Sequence, residues 1–486
     1  MKKNGQSQKI YILLIILFSL FIWRPILNQI PMGEGYYYFD RCQSQFIAPS
    51  DCPTTIWQYD NLARISFQLM IPVLKDNIHL YMFNQVGVMI VFYIVLFLVL
   101  LRISKNSFFA FSATLLFLTN HTGSFSMMAI GNYQRFVQRV PNLILILISF
   151  YFLYKYFKSD KIKNLVISIL LFTAGVYLAH HSIFMLPIFI IYILLKTLTE
   201  KISLKSVVKN FVIVLSIVII ASLLTKPDHL APKMGILTFV TETQDLTSKT
   251  LLQIPNLLIP TELVRYTAKN WPIAPVPYPF TFILQVFSIP IFIILILSLF
   301  IKTKKNNLDL LFKTAILALP IVSFLNLYAY GEGTPHPLRD FGEDRIYFIS
   351  SIFSSIILAY FLYLVWNSKN KIFKFITILI LISSVIYNGY LIKRDSQKLN
   401  YTSQKMESFI KYIKTKTVDK NSKIAIIGPS HLLWPTYFVD HFYNTNNNLT
   451  FSLDSSDWKI ELDKNNFNQV VVLDYKNGMI IENKIK

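Results

Sequence analysis

Apolar runs close to the length of a membrane crossing recur along most of this sequence, and they fix the solvent before any other feature is considered. A hydrocarbon core of about 30 Å takes roughly 17 to 25 helical residues to cross. Backbone polar groups inside it must be satisfied within each segment, so such runs fold as helices. About eleven windows qualify, at about 10–27, 80–101, 107–120, 141–157, 162–179, 182–196, 207–225, 280–301, 310–329, 346–366 and 371–392. The third and sixth are short. With 53% hydrophobic and 15% charged residues, the 486-residue chain could not cover a water-soluble surface of its own.

Basic residues orient these spans. Lys2, Lys3 and Lys9, Arg102 and Lys105, Lys155 to Lys163, Lys196 to Lys209, Lys302 to Lys313, and Lys369 to Lys374 fall on alternate connections, which places the amino terminus in the cytoplasm. An odd number of spans then puts the carboxy-terminal tail outside. About 20 of the 47 Lys and Arg, against about 3 of the 26 Asp and Glu, fall in loops assigned inside, so these loops hold roughly +17 of the net +21. The charge therefore reports topology, and nucleic acid is excluded as a partner. Lys2 and Lys3 precede an apolar run of full spanning length, which reads as a retained first helix and not a cleaved signal.

The expected fold is mainly α. A polytopic membrane domain of about eleven transmembrane helices occupies 1–392, and a small external soluble α/β domain occupies 393–486. Strand patterns at 423–428 and 469–474 and helical periodicity at about 401–416 define the tail. The connections assigned inside are short, whereas external loops at about 28–79, 226–279 and 330–345 exceed what simple links need. Chemistry is therefore expected outside. Proline at 255, 260, 272, 275, 277 and 279 breaks the second of these loops, where a short interfacial helix is expected near 250–268. Cys42 and Cys52, with nine residues between them in the first external loop, are expected to form a disulfide.

Four segments carry candidate chemistry. Gly33-Glu34-Gly35-Tyr36-Tyr37-Tyr38-Phe39-Asp40-Arg41 follows the first helix and holds two carboxylates near the membrane surface. Either could deprotonate an acceptor hydroxyl, with Tyr36 and Tyr37 lining a cavity, although an interfacial tyrosine belt accounts for the same composition. Arg135 and Arg139, four apart before the fourth span, share a helix face and could grip a phosphate, against the alternative of interfacial snorkelling. His180 and His181 sit in a tight turn between the fifth and sixth spans. Adjacent positions point apart on a helix, which favours one hydrogen-bonding histidine facing a cavity over a shared metal. The segment from Gly331 to Arg345 contributes His336, Arg339 and Arg345. Its two arginines are phosphate candidates, and ion pairing within the loop is the competing account.

With inside amino terminus, early acidic motif, span number and external tail, the chain resembles the GT-C superfamily of integral membrane glycosyltransferases. The resemblance implies a polyprenyl-phosphate-linked sugar as donor and a glycan, lipid or protein as acceptor. It also implies a multi-pass location in a bacterial or archaeal cell membrane, among membrane lipids. The catalytic base of that superfamily lies in the first external loop, usually as Asp. Glu34 is the matching position, with Asp40 second, and Arg135, Arg139, Arg339 and Arg345 would hold the donor phosphate. His180, His181 and His336 would then line the substrate cavity. No metal ligands and no cofactor are assigned, with a divalent metal left open. A Trp-Trp-Asp signature is absent, which sets the chain apart from the oligosaccharyltransferase catalytic subunit. The expected activity is hexosyl or pentosyl transfer, with inversion at the anomeric carbon. Two alternatives stand beside it: a polysaccharide polymerase or ligase using lipid-linked glycans, and a lipid or glycan transporter (flippase).

Overall fold

The computed structural model describes residues 2–31, 61–128, 133–199, 204–224, 306–330, 348–416, 424–428, 449–452, 469–476 and 479–484, with Ile254, Leu257, Ile293 and residues 296–299. The helices are α1 (Lys2–Leu27), α2 (Asn61–Leu74), α3 (Ile78–Ser104), α4 (Ser107–Leu118), α5 (Tyr133–Ser159) and α6 (Ile162–Leu178). They continue as α7 (Leu186–Thr199), α8 (Leu204–Leu224), α9 (Asn307–Tyr330), α10 (Phe348–Trp366) and α11 (Lys371–Lys416). A π turn (His121–Phe125) running into one helical turn (Ser126–Met128) follows α4, and a 3-10 turn (His180–Met185) joins α6 to α7.

Among the described residues, six helices are long and apolar enough to cross a membrane, and four more are apolar but shorter. The chain is a multi-pass integral membrane protein. Its surface chemistry agrees: on α1, Leu13, Leu17 and Phe21 form an exposed stripe at helical spacing, while Ile15, Ser19, Ile22 and Trp23 are buried. An apolar stripe facing outward is the reverse of a soluble helix, and lipid is the solvent that makes it stable. Ten of the windows expected from hydropathy fall on described helices; the window at 280–301 lies largely outside the described residues.

The chain divides into two compact units. The first comprises Met1–Ile22, Val88–Met127 and Arg139–Ile392, and the second comprises Trp23–Gly87, Met128–Gln138 and Lys393–Lys486. In the first unit α3, α5, α7, α9 and α10 converge on an apolar void of about 50 Å³, lined by Leu96, Ile146, Phe189, Leu311 and Ile352 among others. Helices in lipid gain little from the hydrophobic effect, so close packing and internal hydrogen bonds hold them together. On α10 the buried Ser350, Ser351, Ser354 and Ser355 keep the helix surface small, and Ser323 of α9 donates to Ser350 Oγ at 2.9 Å. At the other ends of the same two helices, Tyr360 donates to the buried Asp309 at 2.5 Å, with its ring stacked on Phe312.

The second unit contains a four-stranded sheet in the order β2-β1-β3-β4, with β1 at Ile424–Gly428, β2 at Leu449–Ser452, β3 at Gln469–Lys476 and β4 at Met479–Lys484. β1 pairs in parallel with β2 and β3, and β3 and β4 are antiparallel. The register sets Ala425 opposite Val470 and Ile427 opposite Val472, and these four form one apolar cluster. Alternate residues of β1 thereby point to one covered face, the periodicity that its sequence carries. The helical segment expected at 401–416 belongs to α11, a single helix of 46 residues that also holds the last expected span.

Candidate active site

The first turns of α5 carry Arg135 and Arg139, so both arginines stand on one helix at the expected spacing. Arg139 is only 5% exposed. Taking a guanidinium out of water is costly unless charge and hydrogen bonds compensate it, so a buried arginine marks a place built around that cation. Asn142 lies three residues further along and shares the face. Its amide donates to Ser182 Oγ, and Ser182 belongs to the 3-10 turn that begins with His180 and His181. One buried hydrogen bond thus brings together two segments that are remote in sequence, the arginine-bearing start of α5 and the histidine turn.

Small residues let α5 and α6 approach closely enough for that bond. A Cβ at Gly175 of α6 would meet Ile146 Cδ1 at 2.5 Å and Asn142 Oδ1 at 3.4 Å, so only glycine fits without displacement. Further along the same interface Ser149 Oγ donates to the Ser168 carbonyl at 2.7 Å and Ser168 Oγ donates to the Ser149 carbonyl at 2.9 Å. The reciprocal pair satisfies both hydroxyls inside the membrane domain.

A second tight approach occurs at the π turn. Asn120 Oδ1 accepts from the Gly123 amide at 2.5 Å, Ser124 Oγ donates to the Phe117 carbonyl at 2.5 Å, and the buried His121 stacks on Phe125. A Cβ at Gly123 would overlap the Ser351 side chain, so the turn rests directly on the first turn of α10. In sequence, α10 follows the segment that contains His336, Arg339 and Arg345. Single-turn π segments cluster at functional sites because they redirect backbone within a helix.

In the second unit, the chain leaving α1 is clamped just before the acidic motif. Gln29, fully buried, donates through Nε2 to the Ser396 carbonyl at 3.0 Å and to Asn400 Oδ1 at 2.5 Å. The Ile30 amide donates to Ser403 Oγ at 2.8 Å, and His79 Nδ1 donates to the Gln29 carbonyl at 3.2 Å. His79 Nε2 lies 3.8 Å from Glu407, which Lys411 also approaches at 2.9 Å. Glu34 follows this anchor by only a few residues.

Glu34, Tyr36, Tyr37, Asp40, Cys42, Cys52, His336, Arg339 and Arg345 lie outside the described residues. Of the expected site residues, Arg139 is placed with its surroundings, and Arg135, His180 and His181 are placed on α5 and the 3-10 turn. Among the described residues no three of His, Cys, Asp and Glu gather as a metal site. Gln29, His79, Asn142, Ser182 and Asn400 were not singled out by sequence reasoning. Each is a polar residue next to an apolar run, and nothing in one chain's sequence names its distant partner.

No family model matches the sequence, and no curated protein matches it. Solved structures do. The archaeal oligosaccharyltransferase AglB from Archaeoglobus fulgidus, in complex with an inhibitory peptide and a dolichol-phosphate, superposes with a TM-score of 0.50 at 9% identity, covering 97% of this chain and 70% of that one. The two chains share a fold. Two further structures of the Archaeoglobus fulgidus oligosaccharyltransferase, one with Zn and sulfate and one in the apo form, give TM-scores of 0.48 at 11% and 10% identity. They cover 95% and 96% of this chain and 68% and 69% of those chains. At 9% identity the likeness to the first structure is one of fold alone, and a Trp-Trp-Asp signature is absent from this sequence.

Proposed function

We propose that this protein is a GT-C glycosyltransferase that moves a sugar from a polyprenyl-phosphate-linked donor to a hydroxyl-bearing acceptor on the external side, with inversion. The observation that carries this reading is the fold shared with AglB, a protein solved with a dolichol-phosphate bound. The hydrogen bond that joins the arginine-bearing start of α5 to the histidine turn adds support.

The reaction needs a base, an electrophile and a stabilised leaving group. Glu34 takes the proton from the acceptor hydroxyl, with Asp40 orienting the acceptor. The acceptor oxygen then bonds to the anomeric carbon from the face opposite the phosphate. The bond between that carbon and the phosphate oxygen breaks, and the lipid phosphate departs with the electron pair. Arg135 and Arg139, with Arg339 and Arg345 from the loop before α10, neutralise the charge developing on that phosphate. His180, His181, His336, Tyr36 and Tyr37 line the sugar and acceptor space. The clamp on Gln29 and Ile30 fixes the segment upstream of Glu34, since a base displaced by about 1 Å loses much of its effect.

Turnover and donor affinity measured separately on purified protein in nanodiscs test the assignment. Glu34→Gln keeps the size of the side chain but cannot accept a proton, so turnover should fall about 100-fold or more with donor affinity nearly unchanged. Asp40→Asn should lose less. Full turnover in both variants would remove this mechanism, and transbilayer movement of intact donor without sugar transfer would replace it with a flippase.

A further inference from the structure

The ends of α3 and α5 remote from the candidate active site border an open cavity of about 640 Å³. Four cations line it: Arg102 at the end of α3, Lys105 in the α3–α4 turn, and Lys155 and Lys158 on the last turns of α5. Gln8 of α1 and the phenol of Tyr151 add polar groups to the wall. The charge pattern assigns this end of the helices to the cytoplasmic side.

Positive charge at an inner membrane rim is ordinary, and a solvated rim alone would explain four basic residues. Three features argue for more. The cations come from separate elements yet converge on one concavity, whose volume falls within the roughly 300 to 1,000 Å³ of small-ligand sites. No carboxylate is among the described residues that line it. Acids nearby in sequence or on the same rim are engaged elsewhere, Asp160 by Lys209 at 2.6 Å and Asp309 by Tyr360 at 2.5 Å. The backbone also turns here: Lys105 holds a left-handed φ of 57° as α3 turns into α4, and both Lys105 and Arg102 line the cavity. A concave wall carrying four like charges focuses a field that a multivalent anion relieves, and the planar fork of Arg102 suits a phosphate oxyanion pair.

We propose that this inner cavity is a phosphate-binding site. The chemistry fits a phosphomonoester or phosphodiester, either as the headgroup of an anionic lipid in the inner leaflet or as free phosphate from the cytoplasm. The inference does not depend on the proposed glycosyl transfer, because the residues and the membrane face both differ.

The full-length protein in phosphatidylcholine nanodiscs containing a small fraction of phosphatidic acid gives the test, with retained phosphatidic acid counted by native mass spectrometry. All four cations are exposed, so their replacement leaves the packed interior intact. Arg102→Gln and Lys155→Gln should each reduce retention about 10-fold. Lys163→Gln, which removes the same charge from the inner rim outside the cavity, should leave it unchanged. Displacement of the lipid by millimolar inorganic phosphate would support the site and assign it to free phosphate. Persistence of the lipid would support it and assign it to the membrane. Equal retention in wild type and both cavity variants, or an equal loss in Lys163→Gln, would overturn the proposal.

Discussion

The two ends of α5 carry the same sign of charge and treat it in opposite ways. At one end Arg139 is buried, three residues from the Asn142 that ties down the 3-10 turn, and at the other Lys155 and Lys158 stand exposed around an open cavity. An exposed lysine at a membrane rim costs little, so its presence there says mostly which side it is on. A buried arginine costs several kcal/mol before compensation, in the order of magnitude known for ions taken out of water, so its presence implies something worth that cost. Equal charges along one helix thus carry different weight: under the proposed function the buried one serves the donor site, whereas the exposed ones are those a membrane rim accounts for.

The contrast can be broken most sharply at Arg139. Its replacement by alanine should weaken donor binding by about 2 to 3 kcal/mol, roughly 100-fold, whereas Lys163→Ala, at an exposed position just beyond the other end of α5, should change donor binding less than about 2-fold. Donor titration of the two purified variants decides this, and similar losses would erase the distinction between the ends. Between them, Gly175 sets the distance from α5 to α6. Gly175→Ala should destabilise by about 1 to 2 kcal/mol, since its new Cβ meets Ile146 Cδ1, and adding Ile146→Val should restore most of the loss. Thermal unfolding in detergent reads both effects; a destabilisation that Ile146→Val leaves untouched would mean that the glycine serves another purpose.

Asn142→Ala tests whether the Arg139 end of α5 is built to hold the histidine turn. About 1 kcal/mol of stability should go, together with a drop in donor affinity smaller than that of Arg139→Ala. Unchanged affinity would reduce the Asn142–Ser182 bond to a structural tie. The smallest effect belongs to the exposed pair of Asp160 and Lys209. Lys209→Ala should cost about 0.5 kcal/mol, and added salt should shrink the difference from wild type further.

The spans were legible in the sequence because lipid imposes one rule on every residue of a crossing segment, and about twenty residues obeying it stand out. The strands Ile424–Gly428 and Gln469–Lys476 were legible for a related reason, being short continuous apolar runs. Junctions were not. The sequence reading ends the last span near 392 and starts a separate helix near 401, yet Lys393-Arg394-Asp395-Ser396-Gln397 contains no proline or glycine, and the helix runs through. Polarity there marks a change of solvent and not of conformation. The helix Asn61–Leu74 within the first long loop and the π turn after α4 were also unannounced. Of the candidate site, the arginine spacing and the histidine turn could be read from local pattern. Their connection could not, because Asn142 and Ser182 meet only after α5, α6 and the 3-10 turn have packed.

One further consequence concerns time. α4 has 12 residues, about 18 Å of helix, too little to reach across a hydrocarbon core of about 30 Å. Nine of those residues are buried, and aromatic rings at both ends of α4 rest on α10, Phe108 on Trp366 and Phe117 on Phe348. α10 leaves the ribosome roughly 230 residues after α4, which at about 5 to 20 residues per second is a delay on the order of ten to fifty seconds. Through that interval α4 is a short segment without its main neighbour, with the earlier helices α1 and α3 to hold it, Tyr11 against Phe111 and Phe92 against Phe117. The assembly of this protein therefore waits on the order of its synthesis: α4 waits for α10, and the segment after α1 waits longer still, for Ser396, Asn400 and Ser403.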